Sequence, residues 1–353
     1  MKGSKVLSEY DYDLPAELLA SRPIEPRDSS RLFVYDTGKD QIYIDAFSNL
    51  AAHLPAGSLL VFNDTKVVPA RVDLRKETGG KVECLFLVNE MQPGDRRVKI
   101  LADRRITAGQ KLTAGPGYDF EVVSQDGKLF VLELKFDPER LEDLLGRKGR
   151  TPVPKYLGET GLSEELLRAR YQTMFAARPA SVAAPTASLH FTPQVMEKFG
   201  ARGIETARIS LHVGLGTFAP VTEDDLQKKR LHTEIYRIPA ESRDRIAAAK
   251  KTGRPVVAVG TTSARALESA AVQPGSGSGE VSGETSLFIY PPYRFRTVDA
   301  LVTNFHLPQS SLMCLVDAFL KHKQAGKNLV NLYQVAIREK FRFYSFGDAM
   351  LIK

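Results

Sequence analysis

Ser58-Leu-Leu-Val-Phe62 is an uninterrupted strand-like run that passes directly into the polar turn Asn63-Asp64-Thr65. Upstream, Arg31–Asp36 reads as a strand, and Leu14, Leu18 and Leu19 recur at helical spacing after Asp13, a residue suited to cap a helix N-terminus. Residues 13–66 therefore read as mixed α/β. Immediately downstream the pattern changes. From Val67 to Arg150 short strands dominate: Arg71–Lys76, Lys81–Val88, Arg97–Leu101, Gln110–Thr113 and Tyr118–Ser124. Asp126-Gly127 then joins Tyr118–Gln125 to Lys128–Phe136, a hairpin signature. No long helix is expected before Pro138–Leu145. Short strands separated by turn signals suggest a small β-barrel.

Gly146–Tyr156 (GRKGRTPVPKY) carries Arg147, Lys148, Arg150 and Lys155 without an acid and reads as a basic linker. From Leu162 helices and strands alternate again. Helices are expected at Ser163–Phe175, from Thr192-Pro193 to Gly200, and at Ala240–Lys251, Ser263–Ala271, Ser310–Lys321 and Leu329–Lys340. Strand-like runs fall at Thr206–His212, Val256–Val259, Thr285–Tyr290 and Ala300–Thr303, with Gln273–Gly283 between as a flexible surface loop. This alternation predicts a largely parallel sheet with helical cover. The expected fold class is α/β. A large, barrel-like α/β domain is built from residues 1–66 and 151–353, with a small β-barrel domain, 67–150, inserted into it.

The 353 residues include 49 Lys+Arg and 42 Asp+Glu, a net charge of +7. The segment 67–150 holds 16 basic and 14 acidic residues, so neither part is a dedicated basic tail. A positive balance favours an anionic partner such as nucleic acid. The longest uncharged run, Ala300–Val316, contains Asn304, His306, Pro308 and Gln309, which a membrane span would not tolerate. The opening residues lack an apolar signal core, and Cys84 and Cys314 form no disulfide framework. The expectation is a cytoplasmic protein with a substantial core.

Strand-like runs end repeatedly in polar or glycine-bearing turns: Asn63-Asp64-Thr65, His212–Thr217, Gly260-Thr-Thr-Ser263 and Asn304-Phe-His306. Ala184–Thr192 has the same character. In parallel α/β folds such turns gather on one face, where ligands bind. Gly214–Ala219 formally matches a dinucleotide G-x-G-x-x-A, which would suggest a nicotinamide-dependent oxidoreductase. Pro220 follows, however, where that motif needs its glycines to open a helix directly. His190, His212, His232 and His306 lack metal-ligand spacing, so no metal is expected. They lie in or beside these turns and can exchange protons near neutral pH. Glu234, two residues after His232, shares its face if the segment is a strand. Arg265 and Glu268 have the spacing of a local ion pair on one helix face. A non-catalytic RNA-binding protein using the inserted barrel is the third reading.

Nine blocks taken in order extend over nearly the whole chain: FNDTKVVPARV (62–72), TGGKVECLFL (78–87), RYQTMFA (170–176), APTASLHFT (184–192), HVGLGTFAPV (212–221), VGTTSARALES (259–269), LFIYPPYRF (287–295), DALVTNFHLPQSSLMCLV (299–316) and FRFYSFGDAMLI (341–352). Together they resemble the S-adenosylmethionine:tRNA ribosyltransferase-isomerases of queuosine biosynthesis. The chain departs from that pattern at Ser188 and Pro292, where the family has glycine, at Ala219, where it has arginine, and at Leu231-His-Thr-Glu234, where it has M-H-S-E.

The resemblance implies transfer of the ribosyl unit of S-adenosylmethionine to 7-aminomethyl-7-deazaguanine at the wobble position of a tRNA. Isomerisation gives epoxyqueuosine, and adenine and methionine leave. It implies no metal and no cofactor beyond S-adenosylmethionine, which is consumed. The sulfonium acidifies the adjacent 5′ carbon, and departing adenine needs a proton. On that reading His190, His212 and His306 form the pool for proton transfer, and Asp64 or Glu234 the orienting or basic carboxylate. Thr186, Thr217, Thr261, Thr262 and Ser263 offer hydroxyls. Asn63, Thr65, Gly214, Gly216, Gly260, Arg265 and Asn304 complete the expected substrate site, and Arg147, Lys148 and Arg150 the RNA contact.

Overall fold

A computed structural model of the chain describes residues 5–92, 94–154, 160–214, 221–272 and 279–353. Among these, the strands form a nine-stranded sheet, a closed six-stranded barrel and one two-stranded pair.

The large sheet runs in the order Val281–Leu287, Arg230–Ile238, Glu205–Leu211, Leu59–Asn63, Val256–Val259, Ala300–Asn304, Ala349–Ile352, Arg31–Asp36, Gln41–Ala46. The barrel-like expectation for the larger part takes this form, a sheet with two edge strands. Its third to sixth strands pair in parallel. Leu59–Asn63, Val256–Val259 and Ala300–Asn304 are buried at every position, as apolar runs without alternation are when both faces are covered. Successive residues divide between two cores. Leu59 and Val61 join Ile209, Ala258 and Leu301 on one face, while Leu60 and Phe62 join Val257, Val259 and Val302 on the other. Because the four strands are parallel, their C-terminal ends lie along one edge of the sheet. Asn63, His212, Gly260 and Asn304 are placed together by that fact alone.

The barrel closes through Leu129–Leu134, Arg97–Ala102, Lys81–Phe86, Arg71–Lys76, Lys111–Thr113 and Asp119–Asp126, all antiparallel to their neighbours. The foreseen hairpin turns at Gly127, whose φ of 58° lies in the left-handed region that glycine enters freely. Inward-facing Val72, Leu74, Val82, Cys84, Val98, Ile100, Phe120 and Leu132 fill the interior with Leu141, Leu144 and Leu145 of the helix Arg140–Lys148. The chain enters and leaves side by side. The Arg71 amide donates to the Arg150 carbonyl at 3.1 Å, and the Arg150 amide to the Arg71 carbonyl at 2.8 Å. Gly149 has room for no side chain, because a Cβ there would overlap the Pro69 and Leu145 carbonyls.

Several local expectations give way to tertiary contacts. The helix expected after Asp13 is only the 3-10 turn Ala16–Leu18. The Phe343 amide donates to the Leu18 carbonyl and the Ala20 amide to the Phe343 carbonyl, so this segment is drawn out alongside residue 343. The helix expected over Ser163–Phe175 is Glu164–Arg170, capped by Ser163. Beyond it Gln172 pairs by side chain with both backbone groups of Val67. Val281–Leu287 begins inside the expected loop Gln273–Gly283, of which residues 273–278 lie outside the described residues. Cys84 and Cys314 are free and buried.

Candidate active site

Asn63 ends its strand with no exposed surface. Its Nδ2 donates to the Leu211 carbonyl at 3.0 Å and to Thr262 Oγ1 at 3.2 Å, and its Oδ1 accepts from the Leu211 and Thr65 amides at 3.1 Å each. One side chain thus locks three turns together. Thr65, also fully buried, shares hydrogen bonds with Ser181 Oγ at 2.6 Å and with His212 Nδ1 at 3.3 Å. Between them, Asp64 Oδ1 accepts from Ser210 Oγ at 2.5 Å, and Oδ2 lies 3.7 Å from Arg178 Nε. Burial lifts the Asp64 carboxyl above its ordinary range against the pull of the Ser210 hydroxyl and of Arg208, His212 and Arg237. Burial also lowers the His212 imidazole, and the Asp64 charge opposes that.

Gly260 adopts φ +90° where the chain turns from strand into the helix Thr261–Val272, and a Cβ there would meet that of Ala187 at 3.8 Å. Ser263 donates back to the Val259 carbonyl at 2.8 Å, and Thr261 is buried beside it. From the neighbouring turn Thr186–His190, Thr186 Oγ1 donates to Asn304 Oδ1 at 2.9 Å. Asn304 Nδ2 stands 3.4 Å from His190 Nε2. The stretches around Asn63, His190, His212, Gly260 and Asn304 are therefore joined by one continuous series of contacts: the parallel strands bring four of them to one edge, and the turn Thr186–His190 packs against the strand that ends at Asn304.

The histidines differ. His190 Nε2 can only accept from Asn304, which leaves Nδ1–H to donate to Ser30 Oγ at 2.9 Å and makes the ring neutral. Its burial, with Arg342 and Arg27 nearby, pushes it down to about 3. His306 is likewise pushed down to about 3 by burial. Its Nε2 bonds Thr303 Oγ1 at 2.9 Å, its amide donates to Tyr333 Oη at 3.1 Å, and its carbonyl accepts from Tyr12 Oη. His212 is the half-buried member, its ring held among the described residues by one long hydrogen bond.

Glu234 is 3% exposed and already engaged. Its Oε1 accepts the Gly214 amide at 2.9 Å, and its Oε2 pairs with Arg265 Nη1 at 2.5 Å. His232 is exposed, because a register shift between Arg230 and Glu234 interrupts the ladder there. The local Arg265–Glu268 pair does not form. Arg265 reaches across to Glu234, while Glu268 accepts the amides of Arg296, Thr297 and Val298. These backbone donors satisfy a fully buried carboxylate, while Arg265, itself largely buried, is committed to Glu234. Gly216 and Thr217, with the rest of the dinucleotide-like motif beyond Gly214, lie outside the described residues. Arg147 pairs with Asp143, Lys148 bonds the Ala114 carbonyl, and Arg150 pairs with Asp73 and Glu83, all on the barrel side. Ser188, at the family's glycine position, buries a hydroxyl that has no partner among the described residues. Sequence reasoning missed Ser30, Ser181 and Asn89. None carries a motif, and Asn89 comes from the barrel. Among the described residues no group of three or more His, Cys, Asp or Glu could hold a metal ion, and no helix is long and apolar enough to cross a membrane.

Residues 7–352 match the family model described as "Queuosine biosynthesis protein". A protein of Rubrobacter xylanophilus named S-adenosylmethionine:tRNA ribosyltransferase-isomerase is 47% identical over 345 residues, spanning 98% of this chain and 96% of its own length. The protein of that name from Thermotoga maritima is 42% identical over 351 residues, 98% of this chain and 99% of its own. A crystal structure of an S-adenosylmethionine tRNA ribosyltransferase from Thermotoga maritima aligns with a TM-score of 0.55 at 32% identity, covering 98% of this chain and 100% of that one. Matched over its length in sequence and in fold, the chain belongs to the queuosine biosynthesis protein family.

Proposed function

We propose that this chain is an S-adenosylmethionine:tRNA ribosyltransferase-isomerase. It transfers the ribosyl unit of S-adenosylmethionine to 7-aminomethyl-7-deazaguanine at the tRNA wobble position and rearranges it to epoxyqueuosine, releasing adenine and methionine. The observation that carries this reading is the full-length match to relatives of that name, together with the gathering of the polar turns at one sheet edge. Residues 1–66 and 151–353 serve as the catalytic domain and 67–150 as the inserted barrel. The reaction uses no cofactor beyond S-adenosylmethionine, its substrate, and it belongs in the cytoplasm with tRNA.

His212 with Asp64 is the proton-transfer pair. Both are coupled electrostatically, and burial moves the carboxyl up and the imidazole down, narrowing the gap between them. His190 and His306, neutral and hydrogen-bonded, position the Asn304 turn. Glu234 and Arg265 hold Gly214 in place, and Thr65, Thr186, Thr261 and Thr262 supply hydroxyls to the ribosyl unit. The nicotinamide reading is disfavoured because a pyrophosphate at Gly214 would face the buried Glu234 carboxylate. The test is incubation with S-adenosylmethionine and tRNA carrying the deazaguanine precursor. Mass analysis of the nucleosides should show epoxyqueuosine, with adenine released in equal amount. Adenine release without nucleoside gain, or neither, would sink the reading.

A further inference from the structure

Asn89 is 3% exposed, and among the described residues neither its Nδ2 nor its Oδ1 has a hydrogen-bond partner. It sits in the 3-10 turn Val88–Glu90, just beyond the barrel strand Lys81–Phe86. That turn packs against Arg178–Ser181 and Arg230–Ile238, which belong to the other two sheets. Its carboxamide lies so close to Gly214 that a Cβ on the glycine would collide with it. From Gly214 the contacts lead directly into the candidate site. The Gly214 amide is held by Glu234, the neighbouring Val213 amide donates to Ser181 Oγ at 2.8 Å, and Ser181 shares its hydroxyl with Thr65, the partner of His212.

A buried amide is ordinarily satisfied, and one with both ends unpaired is a poor structural choice. A leucine would fill the same space without the penalty. The carboxamide presents a donor beside an acceptor, the pattern that matches the hydrogen-bonding edge of a nucleobase. We propose that Asn89 reads a nucleobase edge at the junction of barrel and sheet and is a specificity-determining residue of the transfer reaction. This rests on the function proposed above, whose two substrates each bring a base with adjacent donor and acceptor: adenine in S-adenosylmethionine, and the deazaguanine in tRNA. Entry of the base parts the contact between Asn89 and Gly214, so recognition is coupled to a small separation of the barrel from the His212 turn. The barrel is then part of the active site as well as a platform for RNA.

The test is Asn89→Leu in the full-length protein, with Asn89→Ala measured alongside in case leucine does not pack. Binding of S-adenosylmethionine alone and of precursor-bearing tRNA alone is followed by calorimetry, with KM for each substrate, kcat and the thermal midpoint. The thermal midpoint should hold or rise, because an unpaired buried amide is removed. Affinity and KM for one substrate should weaken roughly ten- to hundredfold, the worth of a bidentate base contact, while those for the other stay unchanged. Weakening in the S-adenosylmethionine arm assigns adenine, and weakening in the tRNA arm assigns the deazaguanine. Wild-type affinities and KM values in both arms would overturn the proposal. If the wild-type protein itself yields no epoxyqueuosine, the function reading fails instead.

Discussion

His212 and its two relatives separate by environment. His212 keeps part of its surface, and among the described residues its ring makes one 3.3 Å bond, to Thr65, so His212→Asn should leave the thermal midpoint almost unchanged. Turnover should fall roughly 10²–10⁴-fold if the imidazole transfers a proton. A variant with wild-type kcat would remove His212 from the mechanism. His190 and His306, both held near 3 by burial, make a different mark. Their folded pKa values lie below the unfolded value near 6.5, so between those limits the unfolded chain binds more protons. Their stabilisation is complete above about pH 6.5 and is lost as pH falls toward 3. Urea unfolding between pH 6.5 and 4 should show stability falling with a contribution of up to about two protons, and His190→Asn should remove about one of them. An unchanged slope in that variant would mean that His190 is not held neutral. The sequence made these histidines visible as candidates because polar turns after apolar runs stand out. It could not rank them, since ranking depends on Ser30 and Tyr333, which come from elsewhere in the chain.

Strands with strong local signals were legible almost to the residue, whereas those created by pairing were not. Arg31–Asp36, Arg71–Lys76 and Val256–Val259 fall where the apolar pattern put them. Gln41–Ala46, Thr65–Val67, Arg178–Ser181, Arg230–Ile238 and Ala349–Ile352 were not foreseen. Arg178-Pro-Ala-Ser181 becomes a strand only because Thr65–Val67 offers it a ladder, and that short pairing carries Ser181 to Thr65. The inserted barrel shows the same dependence at its mouth. Arg71, which opens its first strand, and Arg150, its last residue, pair with each other, and Gly149 passes against the Pro69 and Leu145 carbonyls. Gly149 has an ordinary φ of −74°, so its requirement is space rather than backbone freedom. Gly149→Ala should therefore destabilise by about 1–3 kcal/mol, the usual range for forced overpacking. The check is whether near-ultraviolet signals of the barrel tyrosine Tyr118 melt earlier than the rest. A wild-type melting profile would show that the strap can shift to admit a methyl group.

At the scale of the whole molecule, the modified base sits on a polyanion far larger than the pocket. On the proposed function it must leave its stack to reach the candidate site, at a cost of a few kcal/mol, and phosphate contacts elsewhere can offset this. The proposed contact, Arg147, Lys148 and Arg150, lies where the barrel returns to the large sheet. Its members are exposed but unequal. Arg147, with its side chain 75% exposed, pairs among the described residues with Asp143 alone, an exposed ion pair of little worth that a phosphate can replace. Lys148 gives a hydrogen bond to the neutral Ala114 carbonyl. Arg150 is shared between Asp73 and Glu83, so its charge is largely matched before any RNA arrives. Counterion release counts only charge that the phosphates newly meet. Arg147→Gln with Lys148→Gln should therefore flatten the log–log salt dependence of tRNA binding by up to about two contacts, at ~0.7–0.9 each. Adding Arg150→Gln should bring little further change in slope and should lower barrel stability by exposing Asp73 and Glu83 to each other. Affinity for S-adenosylmethionine should be untouched by the double variant. An unchanged slope would move the RNA footprint off the barrel and toward the large sheet, where Arg27 and Arg170 line the cleft beside His190.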